Sequence, residues 1–150
     1  MPDLKNRLRE DLTTAMKARD ELRTATLRMV LAAVSAEEVS GKEARELSDD
    51  EVLAVLRREA KKRREAAEAF AGARRAEQAE REQAEGEVLA AYLPAQLDDA
   101  DLAALVADVI SRTGASGMKD MGKVMGAASG VVAGRAEGSR VAAEVRRQLG

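Results

Sequence analysis

The sequence predicts an all-α protein with two parts: an N-terminal helical domain of about four helices that includes a long helical hairpin, and a small C-terminal tail domain of three helices. Apolar residues make up 45% of the 150-residue chain and are mostly Ala, Leu and Val, while Phe70 and Tyr92 are its only aromatic residues. Such a set packs helices side by side well and fills a β-sandwich poorly. Charged residues of both signs reach 35% and only 2 prolines occur, a composition typical of long solvated helices.

Four helices are predicted in the N-terminal domain, residues 1–93. In the first helix, apolar residues recur at helical spacing from Leu4 to Met16. The second helix covers residues 21–39, and Gly41 either closes it or begins the following loop. Ser48 and Glu51 have the spacing of a capping box at the start of the third helix. Gly72 is expected to break or bend that helix before a polar fourth helix over 73–93.

Pro94 marks the predicted start of the C-terminal domain, residues 94–150, because proline cannot continue a helix and disfavours the helical conformation of the preceding residue. Asp98 is expected to cap a fifth helix that Gly114 ends. A glycine-rich helix near 117–133, a turn at 134–138 and a last helix that reaches Leu149 complete this domain.

The amino-acid composition limits the kinds of site that the chain can contain. It has no Cys and no His, so it lacks thiolate nucleophiles, zinc–thiolate clusters, the commonest general base and the commonest metal ligand. We therefore expect no catalytic residue, no metal site and no cofactor. An enzyme is a third alternative that depends on Asp98, Asp99 and Asp101, which a helix N-terminus explains more simply.

The N-terminal sequence predicts a cytoplasmic protein that makes no membrane contact. The chain is charged from its third residue, and no stretch approaches the roughly 18 uncharged apolar residues of a membrane span.

Glycines recur at intervals of four in the C-terminal domain, at positions 122, 126, 130, 134 and 138. At least three lie inside a predicted helix, where each costs roughly 1 kcal/mol relative to Ala. We infer that a close contact or a function requires them.

A helical wheel separates these glycines from the apolar residues of the same helix. One side gathers Met121, Met125, Ala128 and Val132; the opposite side gathers Gly122, Gly126, Ser129 and Gly130, with Lys119 and Lys123 beside them. If the methionine side meets the core, the other side is a smooth face, flanked by two lysines, that a phosphate backbone can approach closely. The alternative is close packing of this small-residue stripe against another helix, in this chain or in a partner.

A second basic cluster lies on the predicted third helix, where residues 57–64 contain six basic residues and one acidic residue. One half of the helix carries Arg57, Arg58, Lys61, Lys62 and Arg64. Arg63 falls within the apolar stripe and is expected to snorkel to its edge. Such a basic face binds RNA or an acidic partner, or is simply solvated. No aromatic residue interleaves with either cluster, so any nucleic acid would be recognised by shape and phosphate.

Three segments resemble the GatB/YqeY family in order and spacing: YLPAQL at 92–97, MKDMGKVMG at 118–126 and GRAEG at 134–138. The N-terminal part is similar to the YqeY-like members, so the resemblance covers the whole chain. Glu137 stands where the family often has Asp. The motif positions carried over are Lys119, Gly122, Lys123, Gly126, Arg135 and Gly138, and Arg140 on the last helix joins them as a candidate RNA-binding residue.

The resemblance implies a function related to tRNA. The tail is similar to the C-terminal domain of the GatB component of the glutamyl/aspartyl-tRNA amidotransferase, an enzyme that amidates misacylated tRNA with glutamine as nitrogen donor and contacts tRNA through this domain. We therefore expect a tRNA-binding accessory or adaptor protein, with tRNA and components of the amidotransferase or of an aminoacyl-tRNA synthetase as partners.

The resemblance does not extend to the catalytic parts of that enzyme. The family's carbon–nitrogen ligase activity is not expected to be intrinsic to this chain, because the ATP-binding part of the GatB component has no counterpart in the sequence. The alternative is a protein–protein interaction module with no RNA role. The Ala- and Arg-rich composition is typical of a GC-rich bacterial genome, and the sequence fixes no oligomeric state.

Overall fold

The protein is described by a computed structural model over residues 3–150, and this range contains seven α-helices and no strand. The predicted all-α class is therefore confirmed. In chain order the helices are α1 (Asp3–Lys17), α2 (Glu21–Glu38), α3 (Asp49–Gly72), α4 (Ala76–Ala90), α5 (Asp99–Thr113), α6 (Met121–Val132) and α7 (Gly138–Leu149). A single 3-10 turn, Met118–Asp120, precedes α6. None of the helices in the described range is both long enough and apolar enough to span a membrane.

The residues form two compact units that divide between Leu93 and Pro94. The first unit contains α1 to α4, and the second contains α5 to α7. Each unit buries an apolar cluster made only of its own residues.

The core of the first unit gathers residues from all four of its helices and from the loop before α3. Its buried members are Leu8, Leu27, Val30, Val34, Leu47, Val52, Val55, Leu56, Val88, Leu89 and Tyr92. The hydroxyl of Tyr92 donates a hydrogen bond to Asp11, and the guanidinium carbon of Arg7 lies 4.8 Å from the centroid of its ring. The end of α4 is therefore fixed to α1.

The start of α3 has the predicted capping box. The backbone N–H of Glu51 donates to the Ser48 hydroxyl, and the backbone N–H of Ser48 donates to the Glu51 carboxylate, both at 3.3 Å. The helix ends at Gly72 as predicted. The fourth helix is shorter than predicted because residues 73–75 form a turn with Arg74 in the left-handed conformation, at a φ of 59°.

A buried charged cluster joins α3 to α4. The Arg63 side chain is only 12% exposed, and its guanidinium lies 3.2 Å from a carboxylate oxygen of Glu59 and 3.3 Å from one of Glu85. The expectation that Arg63 snorkels to the edge of the apolar stripe is therefore wrong. Two buried carboxylates, one on its own helix and one on the next, compensate the charge of the guanidinium inside the hairpin, although its Nε donates no hydrogen bond to any residue that the structure describes.

Helix α5 in the second unit has both of its predicted ends. Asp98 caps α5 by accepting a 2.7 Å hydrogen bond from the backbone N–H of Asp101. Gly114 ends that helix with a left-handed φ of 68°, a conformation that glycine adopts without steric cost. The apolar core of the second unit is formed by Leu102, Val106, Val109, Val124, Ala128, Val132, Ala136, Val141 and Val145.

Candidate nucleic-acid interface

The glycines of α6 lie on its exposed side. Gly122, Gly126 and Gly130 are all inside the helix and all exposed. On the opposite side, Val124, Ala128 and Val132 are buried, and Met121 and Met125 pack against them while partly exposed. The predicted division of the helix into a core side and a glycine side is present. Val124 is fully buried on the core side, although the helical wheel did not group it with Met121, Met125, Ala128 and Val132.

Open space adjoins the glycines of α6 within their own unit. A Cβ atom placed on Gly122, Gly126 or Gly130 meets no other atom of the second unit within 4 Å. No helix of this unit therefore uses these glycines for close approach. We call this surface, made by Gly122, Gly126, Ser129 and Gly130, the glycine face.

Lys119 and Lys123 stand at the N-terminal end of the glycine face. The Lys123 ammonium donates a 2.9 Å hydrogen bond to the carbonyl of Thr113, the last residue of α5. A lysine ammonium has three N–H donors, so two of them remain for a ligand. Lys119 is exposed and forms no ion pair with any residue that the structure describes.

Asp120 places a negative charge next to these lysines. Its carboxylate accepts a 2.9 Å hydrogen bond from the backbone N–H of Ser116 and so closes the loop that leads into α6. This hydrogen bond lowers the pKa of Asp120, and the positive charges of Lys119 and Lys123 lower it further. The carboxylate is therefore ionised at neutral pH and offsets part of the positive charge that a phosphate would meet.

Arg135 lies at the other end of α6, and α6 is about 18 Å long for its 12 residues. Its guanidinium donates to the carbonyl of Val132 at 3.1 Å and to that of Val131 at 3.0 Å. Carbonyls in the last turn of a helix lack the usual intrahelical partner, and a cation is favoured there. Two of the five N–H donors of Arg135 therefore hold the end of the helix.

Arg140 fixes the start of α7 to the segment before α5. Its guanidinium donates to the carbonyl of Leu97 and to the carboxylate of Asp99, both at 3.0 Å. Gly138 is the exposed first residue of α7. The predicted cations thus differ in their contacts inside the unit: Lys123 makes one hydrogen bond, whereas Arg135 and Arg140 make two each.

The basic face of α3 is largely compensated by acidic side chains. Arg58 lies 3.4 Å from a carboxylate oxygen of Glu37, Lys61 lies 3.9 Å from Glu65, and Lys62 lies 3.2 Å from the buried Glu59. Arg57 is half-buried and Arg64 is exposed. A phosphate would have to compete with carboxylates for Arg58, Lys61 and Lys62.

Acidic side chains do not gather into a metal site in residues 3–150, where no group of three or more potential ligands was found.

Sequence patterns did not reveal the long-range partners of these charged residues. The carbonyl of Leu97 and Arg140 are 43 positions apart, and no local spacing connects them. The sequence did contain a signal for the buried ion pair of Arg63. Glu59 precedes Arg63 by one helical turn on the same side of α3, and an apolar stripe seldom holds an isolated cation.

Comparison with known proteins identifies a family for the chain. No curated protein matches it. A family model described as Yqey-like protein matches residues 5–149, and so covers both units from α1 to the end of α7. On this match, the chain belongs to the YqeY-like protein family.

Proposed function

We propose that this protein binds structured RNA, with tRNA as the first candidate, through the glycine face of α6 and its two lysines. In this proposal the protein is an accessory or adaptor in tRNA-dependent amidation and has no catalytic site of its own. The motif positions in α6 and the resemblance of the tail to the tRNA-contacting domain of the amidotransferase direct the proposal to tRNA.

The observation that supports the proposal is the open space over the glycines. Three glycines in a helix of 12 residues lower its stability by about 3 kcal/mol relative to alanines. The second unit makes no close contact that requires them. A phosphate backbone is a ligand that needs such a surface, because a side chain of any size would keep its oxygens away from the helix.

Lys119 and Lys123 would supply the positive charge at this surface. Each lysine that neutralises one phosphate contributes about −0.7 to −0.9 to the slope of log affinity against log salt concentration. Loss of both lysines should therefore make the slope less steep by about 1.5. Arg135 and Arg140 would contribute less, because each already makes two hydrogen bonds within the unit, whereas Lys123 makes one.

The test is a titration of the purified protein with total tRNA at two salt concentrations, with the double variant Lys119→Glu/Lys123→Glu beside it. The variant Lys17→Glu/Lys42→Glu is the matched control, because it makes the same change of net charge at two exposed lysines of the first unit. We expect salt-dependent binding that the first variant weakens at least about tenfold and that the control changes little. Equal weakening by both variants would indicate unspecific attraction and would contradict the proposed interface.

The link to amidation is tested separately, with an amidotransferase and its misacylated tRNA. We expect the protein alone to form no amide, and we expect it to change the affinity of the enzyme for its tRNA. Amide formation by the protein alone with glutamine would contradict an adaptor role.

A protein–protein interaction module is the second candidate function, and the composition of α6 favours it. Lys123 is the only charged residue in this helix, although most of its residues are exposed. A small and nearly uncharged helix face suits contact with a helix of another protein. Absence of tRNA binding at low salt, together with a soluble and folded protein, would favour this function.

A further inference from the structure

An open groove lies beside the turn from α1 to α2 in the first unit. Its volume is about 380 Å³, and its lining includes Met16, Arg19, Glu21, Ala25 and Arg28. Met16 is 48% exposed, an unusual state for a large apolar side chain in the first unit. We call this depression the turn groove; it shares no residue with the proposed RNA interface.

Arg19 occupies a backbone position that suits glycine. Its φ is 56°, in the left-handed region. The backbone N–H of Arg19 donates to the carbonyl of Met16 at 3.2 Å, and that of Asp20 donates to the carbonyl of Ala15 at 3.0 Å. This pattern ends a helix, and glycine is the usual residue at its left-handed position, because a side chain there is strained. An arginine at this position strains the turn and adds no ion pair among the described residues.

Two positive charges at the turn groove have no carboxylate partner in residues 3–150. The Arg28 guanidinium makes a contact of 3.8 Å with the Met16 sulfur, which is a weak acceptor. Glu21 cannot neutralise the two arginines, because Arg81 on α4 holds both of its carboxylate oxygens at 2.7 and 2.9 Å. The turn groove therefore combines an apolar floor with two available guanidinium groups.

We propose that the turn groove is a docking site for an acidic amphipathic helix of a partner protein. An apolar side chain of that helix would pack on Met16 and Ala25, and carboxylates on either side of it would bind Arg19 and Arg28. Charge complementarity supports this occupant, since an arginine bound weakly to sulfur exchanges that contact for a charge-assisted hydrogen bond to a carboxylate. The apolar floor favours a peptide over a nucleic acid, because an exposed methionine and an alanine offer a contact surface to an apolar side chain and none to a phosphate.

The test uses a synthetic helical peptide of alternating Glu, Leu and Ala as the probe, with a second peptide that has Gln for every Glu. The protein carries methionines labelled with carbon-13 on the methyl group. The Met16 methyl signal then reports occupation of the turn groove, and the Met118 signal in the second unit is the internal reference. We expect the Glu peptide, and not the Gln peptide, to shift the Met16 signal.

Three variants separate the turn groove from general charge effects. Arg19→Gly and Arg28→Gln should each weaken the peptide about fivefold, the effect of one exposed charge pair. Arg74→Gly is the matched control, because Arg74 has the same left-handed conformation in the turn from α3 to α4. We expect it to leave the affinity unchanged. Arg19→Gly should also keep or raise the melting temperature, so that lost binding cannot be ascribed to unfolding.

Three outcomes would overturn the proposal. They are a Met16 signal that stays unchanged with the Glu peptide, an Arg74→Gly variant that weakens the peptide as much as Arg19→Gly does, and a Met16 signal that total tRNA shifts while the peptide does not. The last outcome would assign the turn groove to RNA.

Discussion

The ammonium nitrogen of Lys5 lies 2.8 Å from one carboxylate oxygen of Glu38 and 2.7 Å from the other, and so joins α1 to the last residue of α2. The second oxygen also accepts a 3.2 Å hydrogen bond from the backbone N–H of Leu47. Leu47 is only 1% exposed and belongs to the core of the first unit. The ion pair therefore fixes the long connection between α2 and α3 as well as two helices.

Replacement of Lys5 by Ala should lower the free energy of unfolding by about 2 kcal/mol, because it leaves a poorly exposed carboxylate without its charged partner. Urea unfolding of Lys5→Ala, Glu38→Gln and the double variant measures the coupling between the two residues. Lys17→Ala, a change at an exposed lysine of the same helix, is the control and should stay within about 0.5 kcal/mol of the wild type. Additive effects in the double variant would contradict the coupling.

Gly126→Ala should raise the free energy of unfolding by about 1 kcal/mol, since the glycine is exposed inside α6 and an added Cβ meets no atom of its unit. The same substitution at Gly114 should lower it, because the φ of 68° there is strained for alanine. Gly126→Leu should keep the protein folded and weaken tRNA binding by blocking the glycine face. Loss of stability in Gly126→Ala would mean that a close contact requires the glycine.

Asp120→Asn should tighten tRNA binding about threefold, because it removes a negative charge beside Lys119 and Lys123. The amide oxygen of Asn can still accept the hydrogen bond from Ser116, so the loop before α6 should persist. Helix content measured by circular dichroism checks the loop and the fold. An affinity that is unchanged or lower would place the phosphates elsewhere on the protein.

Stability of the second unit should depend on pH through Glu144. Its hydrogen bonds from Arg147, and then from Gln148, lower its pKa from 4.5 to about 2. A carboxylate whose pKa is lowered by folding stabilises the folded state at pH values above its pKa in the unfolded chain. This stabilisation is lost as the pH falls to the pKa of the folded state. The difference in urea midpoint between the wild type and Glu144→Gln should therefore be constant above about pH 5 and shrink toward pH 2.

Arg147→Gln tests the cause of this shift. It should remove most of the pH dependence, because Arg147 makes the largest contribution to the lowered pKa. If the stability of Arg147→Gln still depends on pH as that of the wild type does, Arg147 is not the main cause of the lowered pKa of Glu144.

Residues 94–150 should fold when they are expressed without the first unit. Their apolar cluster consists only of their own side chains, and Arg140 closes the segment before α5 onto α7. We expect helical circular dichroism and cooperative urea unfolding with a free energy of about 3 to 5 kcal/mol. An unfolded fragment would show that the two units are one folding domain.

The sequence predicted the features of the fold that depend on neighbouring residues. Ser48, Asp98 and Gly114 each act on a backbone group within a few positions, so their local spacing was enough to place helix ends. The connection between the first two helices was predicted, but the left-handed conformation of Arg19 within it was not, because an arginine gives no sequence signal for that conformation. Its strain is tolerated only in the folded chain.

The candidate interface was predictable in its exposed part and less so in its charged part. Helical periodicity placed Gly122, Gly126 and Gly130 opposite the methionines, because the period of a helix is independent of the fold, and the structure shows that this side is exposed. The engagement of Arg135 and Arg140 depends on carbonyls exposed at helix ends and on a segment far away in sequence. Amino-acid composition gives only the number of such arginines. In the folded protein their guanidinium groups donate hydrogen bonds to backbone carbonyls of the same unit.

The hydrogen bond between Tyr92 and Asp11 has a consequence for synthesis on the ribosome. These residues are 81 positions apart and join the turn after α4 to α1. Translation is vectorial, so α1 emerges early and must wait for almost all of residues 1–93 before this contact can form. The first unit therefore completes its fold only when Tyr92 has left the exit tunnel, two residues ahead of Pro94. Until then Asp11 and Arg7 on α1 lack the tyrosine that they contact in the folded unit.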